Sequence, residues 1–235
     1  MKKVDVTKSR FRDASWYTNV ETLATPIVVG GAGGIGSWLT LFLARMLSDT
    51  LLFLYDFDSV EEVNMAGQLF ASRHIGMPKV QAVQAVVDDF SDYSKLSAQN
   101  EKYTVDSLKS PIMFSCFDNM EARKVMFNNW SSEAPKHENA IFIDGRLLAE
   151  QLQVFFVTPE TARRYQKDFL FDDSEVADAN CSYKQTSHFA AIIAAKMVQG
   201  FTNWFIQDEA ILPFYYEEIG SLFLTNSKDG TDKIE

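Results

Sequence analysis

Hydrophobic positions in this chain fall into short unbroken runs that alternate with longer stretches of helical period. Pro26-Ile27-Val28-Val29 is a short β-branched run, and Ile35 to Leu47 is apolar nearly all round. These predict a buried strand and an interior helix. Leu51 to Tyr55 repeats the strand signal and stops at Asp56. The alternation continues with a helix over Lys79 to Phe90, a strand over Ile112 to Phe117, a helix over Met120 to Trp130 and a strand over Ile141 to Asp144. These strands are continuous apolar runs, as a parallel sheet covered on both faces requires. After Gly145 the pattern changes. Gln151 to Val157 alternates in part, predicting an antiparallel or edge strand, and Ser187 to Phe205 is an Ala-rich helix. The expected class is α/β, with a mostly parallel sheet flanked by helices and antiparallel strands added in the C-terminal half.

The remaining segments set the organisation. Residues 1–24 are polar with scattered aromatics (Phe11, Trp16, Tyr17) and read as an N-terminal arm, 25–225 as one domain and 226–235 as a polar tail. Residues 168–186 are acidic and irregular, as in a crossover loop. Thr22 to Ala44 carries no charge and is long enough to span a bilayer. Five glycines within it (Gly30, Gly31, Gly33, Gly34, Gly36) would each weaken a helix by about 1 kcal/mol, so it divides into strand, loop and helix and no membrane span is predicted.

Composition narrows the function. The 235 residues are 46% hydrophobic and 23% charged, enough for one sizeable core. A net charge of -10 disfavours nucleic acid, whose binding rests on clustered Lys and Arg. Two cysteines, Cys116 and Cys181, make neither a disulfide framework nor a four-cysteine zinc site, and Met1-Lys2-Lys3-Val4-Asp5 lacks the apolar core of a signal peptide. A cytoplasmic setting is the resulting expectation.

The chemistry begins at Gly31-Ala32-Gly33-Gly34-Ile35-Gly36, a GxGxxG loop with a strand before it and a helix after it. Glycines allow a tight turn and close backbone approach, and the helix N-terminus then faces an anion. Asp56 lies 25 residues after Gly31, where an acidic group can hold a ribose. A Rossmann-like nucleotide site follows, shared by dehydrogenases and ATP-using enzymes alike. The next segment separates them: Asp56-Phe57-Asp58-Ser59-Val60, then Asn64, Gln68, Gly76-Met77-Pro78-Lys79, and Cys116-Phe117-Asp118-Asn119 with Arg123. In this order the motifs resemble the ThiF/MoeB and ubiquitin-activating-enzyme superfamily of adenylyltransferases.

That resemblance implies ATP binding by Gly31, Gly33, Gly34, Gly36, Asp56, Asp58, Asn64, Gln68, Lys79, Asn119 and Arg123. Asp56 would hold the ribose hydroxyls, Asn64 and Gln68 would line the phosphates, Lys79 would neutralise phosphate charge and Asp118 would hold Mg2+. The implied reaction is adenylation of the C-terminal carboxylate of a small ubiquitin-like or sulfur-carrier protein, with a peptide C-terminus as the alternative substrate and a nucleotide-binding scaffold without turnover as the alternative function. Cys181, shortly before the last long helix, would accept the acyl group, and a homodimer is implied. Two departures stand out. The family's arginine before the glutamine is Gly67 here, with Arg146, Arg73, or Arg10 and Arg12 of a partner's arm as replacements. Its paired CxxC site is missing, so no structural zinc is expected.

Overall fold

The computed structural model describes residues 23–148, 151–171, 187–206 and 214–219. Among these, the strands are β1 (Ile27–Gly30), β2 (Leu52–Tyr55), β3 (Leu96–Gln99), β4 (Ile112–Ser115), β5 (Ile141–Leu148), β6 (Gln151–Val157) and β7 (Tyr215–Ile219). The helices are α1 (Gly34–Met46), α2 (Lys79–Phe90), α3 (Met120–Glu133), α4 (Ala162–Phe169) and α5 (Ser187–Ile206). All seven strands join one sheet in the order β3-β2-β1-β4-β5-β6-β7. The first five in that order run parallel, and β6 and β7 are antiparallel additions.

Alternate residues of the central strands feed two cores. Ile27 and Val29 of β1, Ile112 and Phe114 of β4, and Ile141 and Ile143 of β5 pack against α1, α2 and α5. Val28, Met113 and Phe142 point the other way, onto α3 and α4. Both faces are therefore apolar, which is why the strands carry no polar alternation. The second core is aromatic: Phe127, Trp130, Phe142, Phe155 and Tyr165 surround one another at ring separations such as 5.1 Å for Phe127–Tyr165 and 5.6 Å for Phe127–Phe142.

The expected helix over Ile35 to Leu47 is α1, buried on nearly every side, and the uncharged stretch divides at the glycine loop. Among the described residues no helix is long and apolar enough to cross a membrane. Three elements lack the sequence signals used above. β3 has only four residues, Leu-Ser-Ala-Gln, and is half-buried at the sheet edge. β7 reads Tyr-Tyr-Glu-Glu-Ile, with too little apolar content to mark a strand. In α4, Tyr165 alone is fully buried, so no apolar stripe announces it.

Chain order dictates where a ligand can sit. From β1 the chain steps outward to β2 and β3, then returns to add β4 on the other side of β1. The loops after β1 and β4 leave in opposite directions, and the crevice between them is where open α/β sheets bind ligands.

The aromatic core generates a stability prediction. Trp130 is fully buried and donates its indole N–H to the Pro111 carbonyl at 2.9 Å. Trp130→Ala is expected to cost about 3–5 kcal/mol, read as a lower urea midpoint; an unchanged midpoint would mean that this core does not hold α3 to the sheet.

Candidate active site

Backbone sterics shape the loop after β1. Gly31 has a φ of 91°, which favours glycine, and a Cβ there would lie 2.8 Å from the Cys116 carbonyl oxygen at the end of β4. Its N–H donates to the Tyr55 carbonyl at the end of β2 at 2.8 Å. The chain leaving β1 is thus held between both neighbours. A Cβ on Gly36 would lie 1.7 Å from the Gly31 carbonyl oxygen, so the first turn of α1 can close on the loop only with glycine there. Around Gly33, by contrast, a Cβ would meet nothing within 4 Å. Open space therefore adjoins the start of α1, whose first N–H groups have no acceptor within the helix.

Asp56 ties this loop to β2. Its Oδ2 accepts from the Ala32 amide at 2.7 Å and its Oδ1 from the Asp58 amide at 2.8 Å. Burial pushes the carboxyl above its usual range, against the pull of those two amides and of Lys79. Each carboxylate oxygen still has a lone pair for a ribose hydroxyl. Asp58 continues the chain: its Oδ2 accepts from Lys79 Nζ at 2.7 Å and its carbonyl from the Lys79 amide at 2.8 Å. Ala32, Asp56, Asp58 and Lys79 thereby link three of the sequence motifs.

The segment between Asp58 and Lys79 places the other expected phosphate ligands. Asn64 Oδ1 accepts from the Glu61 amide at 2.8 Å and so shapes its own turn. The Gln68 amide donates to the Asn64 carbonyl at 2.9 Å, while Gln68 Oε1 is buried without a partner. An acceptor left so calls for a donor that no neighbouring side chain or backbone group among the described residues supplies.

Across the crevice, Asp118 is exposed and accepts at Oδ1 from the Asn119 side chain at 3.1 Å. Asn119 Oδ1 caps α3, accepting from the Ala122 amide at 2.9 Å. Arg123 is buried, and its guanidinium donates to Asp144, to the Gly145 carbonyl at 3.2 Å, and to the carbonyl of Phe117, the residue before Asp118. Asp144 is fully buried and is shared: Arg146 Nε donates to it at 2.6 Å and the Tyr165 hydroxyl at 2.8 Å. Arg146 also donates to the Tyr165 hydroxyl at 3.1 Å and the Phe169 carbonyl at 3.0 Å, and lies 4.6 Å over the Phe155 ring.

These contacts sort the expected residues. The glycine loop, Asp56, Asp58 and Lys79 form one connected set; Asn119 and Arg123 brace the loop that carries Asp118. As replacements for the arginine missing at Gly67, Arg146 and Arg73 are both engaged elsewhere, Arg146 around Asp144 and Arg73 with Asp89 at 2.6 Å. Arg10, Arg12 and Cys181 lie outside the described residues. Asp144 and Tyr165 went unread in the sequence; the one signal was an aspartate closing the apolar run Ile141-Phe142-Ile143 with an arginine two residues on.

Asp144 generates a pH prediction. Burial alone would raise its carboxyl, but the two guanidinium groups and the hydrogen bonds from Arg146 and Tyr165 hold it below the usual range. A depressed folded value means stability that is present above the unfolded carboxylate range and is lost as pH falls through the folded one. Asp144→Asn leaves two buried cations without their counter-charge and is expected to cost about 3–5 kcal/mol at neutral pH, while flattening the acid limb of a stability-versus-pH curve. Neutral stability equal to wild type would show that the cluster is not held by this charge.

Comparison with known proteins agrees with this layout. Ubiquitin-like modifier-activating enzyme 5 of Branchiostoma floridae is 26% identical over 152 residues, covering 52% of this chain and 37% of that protein. Sulfur carrier protein ThiS adenylyltransferase of Escherichia coli (strain K12) is 31% identical over 108 residues, covering 43% of each. The chain thus spans less than half the length of these curated relatives. Among solved structures, E. coli MccB matches with a TM-score of 0.65 over 88% of this chain and 62% of its own, at 12% identity. PaaA matches with a TM-score of 0.63 over 87% and 66%, at 17% identity. These two likenesses concern the fold. The profile described as ThiF family matches residues 2–218, nearly the whole sequence, and with the glycine loop, the Asp56–Lys79 segment and the Asp118 loop all following the carboxyl ends of the adjacent strands β1, β2 and β4, the chain belongs to the ThiF family.

Proposed function

We propose that this protein uses ATP and Mg2+ to adenylate the C-terminal carboxylate of a small ubiquitin-like or sulfur-carrier protein. The observation that carries the reading is the hydrogen-bonded chain from Ala32 through Asp56 and Asp58 to Lys79, which sets a glycine loop, a ribose-type acid and a lysine around one crevice. The names of the two curated relatives favour this substrate class over a small acid.

A substrate carboxylate oxygen would attack the α-phosphorus of ATP. The bond from that phosphorus to the bridging oxygen breaks, pyrophosphate leaves, and an acyl-adenylate remains. The glycine-loop amides and Lys79 meet the charge that builds on the phosphates, and Asp56 accepts from the ribose. Magnesium, when bound, would neutralise phosphate charge. Among the described residues no three acidic, His or Cys side chains converge. An exposed Asp118 suits an ion that takes one carboxylate and completes its shell with phosphate oxygens and water. Asp118 is held by the Phe117 carbonyl contact of Arg123 and by the capped start of α3.

In a second step the Cys181 thiolate would attack the acyl carbon and release AMP, leaving a thioester. Arg10 or Arg12 from the partner of a homodimer would supply the cation absent at Gly67. A specific observation favours a second reading, a nucleotide-binding scaffold without turnover: Gly67 replaces the family's arginine, and Arg73 and Arg146 are engaged elsewhere.

ATP–pyrophosphate exchange separates the two. Exchange that depends on an added carrier protein with a free C-terminal carboxylate is expected, and Asp118→Ala should lower it by about 100-fold without altering the melting curve. ATP binding with no exchange for any carrier would leave the scaffold reading instead. For Cys181→Ala, exchange should persist while a thiol-labile adduct with the carrier disappears on a non-reducing gel; an adduct that survives the substitution removes Cys181 from the pathway.

A further inference from the structure

The link between Asp58 and Lys79 is more than one ion pair. Residues 58–60 run antiparallel to residues 76–79 as a short ribbon: the Lys79 amide donates to the Asp58 carbonyl, the Val60 amide to the Met77 carbonyl and the Gly76 amide to the Val60 carbonyl, each at 2.8 Å. An isolated bridge joins Ser59 to Pro78 within it. Val60 anchors the ribbon in the core at 2% exposure. Asp58 therefore grips residue 79 twice, at the backbone and again at the end of the side chain, where Nζ lies 2.7 Å from Oδ2.

This matters because lysine is a point charge on a flexible four-carbon stem. Left to itself it loses side-chain entropy when it meets a phosphate. Here the stem is already immobilised: the Lys79 side chain is 11% exposed, while the Asp58 carboxylate that holds it is 49% exposed. An ammonium has three N–H donors. Asp58 Oδ2 occupies one and leaves the others for an incoming anion. Asp58 is in turn oriented through its amide by Asp56, and Asp56 by the Ala32 amide of the glycine loop. The position of the ammonium is thus referenced to the loop that would receive the phosphates.

We infer that Asp58 is the positioning residue for Lys79, aiming its ammonium at the outer phosphates and so setting the preference of the site for a triphosphate over a monophosphate nucleotide. The inference rests on the nucleotide-binding reading above. It makes Asp58 a residue that acts through another rather than a contact to nucleotide, and it gives the second acid of Asp56-Phe57-Asp58 a role distinct from the first.

Calorimetric binding of MgATP and of AMP to the full chain tests it, using wild type, Asp58→Ala, Lys79→Met and the double variant. Asp58→Ala is expected to weaken MgATP by about tenfold, the size of one charged hydrogen bond, and AMP by less than about twofold. The double variant should bind MgATP no more weakly than Lys79→Met alone, because the aspartate acts only through the lysine. Should Asp58→Ala not fold, Asp58→Asn, which keeps an acceptor but not the charge, carries the same comparison. Parallel weakening of MgATP and AMP, losses that multiply in the double variant, or MgATP binding left unchanged by Asp58→Ala when wild type binds it would each overturn the positioning role while leaving the nucleotide site standing. A wild type that binds neither ligand would remove the functional reading and this inference with it.

Discussion

The close passage of β1 between β2 and β4 is the constraint on which the rest of the site depends. Where β1 ends, Gly31 donates to one neighbour's carbonyl and sits against the other's backbone, and Gly36 brings the first turn of α1 down onto the same peptide. No side chain fits at either point. That contact brings the start of a helix, the end of β2 and the end of β4 together, with Asp56 following β2 and Asp118 following β4. A looser loop would separate them, because each is carried by its own strand.

Two polar networks stiffen the walls of that crevice, and they work differently. On the β2 side, Asp56 is part-buried, Asp58 exposed and Lys79 buried, and their contacts run through backbone amides as much as through charge. Such a network can exchange a partner for a ligand at small cost. On the β4 side, Asp144 is wholly enclosed, with Arg123, Arg146 and Tyr165 around it and aromatic rings beyond. Removing a member of that cluster leaves a buried charge, so it is rigid by necessity. Its contribution to the site is indirect: through Arg123 it fixes the Phe117 carbonyl and hence the course of the chain at Asp118.

Much of this was legible before any coordinates. Buried parallel strands are unbroken apolar runs, so β1, β2, β4 and β5 declared themselves, and the glycine loop was readable because steric need leaves glycine as the one residue that fits at Gly31 and Gly36. Partial alternation in Gln151 to Val157 gave away the antiparallel β6. What escaped was whatever depends on a partner far along the chain. β3 and β7 are strands by pairing, with side chains that could serve a loop equally well. Asn119 and Arg123, which the resemblance places among the nucleotide ligands, make a helix cap and a buried ion pair here, contacts that a motif alone does not reveal. Arg146 was offered as a phosphate cation because it follows a strand end, and its pairing with Asp144 could not be seen until α4 closed over it.

Charge bookkeeping then decides how such a crevice can accept a triphosphate. Asp56 and Asp58 bring two carboxylates to the β2 side and Lys79 one cation, with Asp118 exposed before α3 and glycine at position 67. Unlike charges must come from elsewhere, since like-charge approach in a part-buried site is costly. On the proposed reading, backbone amides at the start of α1 would meet that need, as would a divalent ion if one bound at Asp118 with the nucleotide. Under this shortage the lysine cannot be a loosely placed surface charge. Its immobilisation by Asp58 directs that one cation, which on the proposed reading would let so acidic a site favour the phosphate end of a nucleotide.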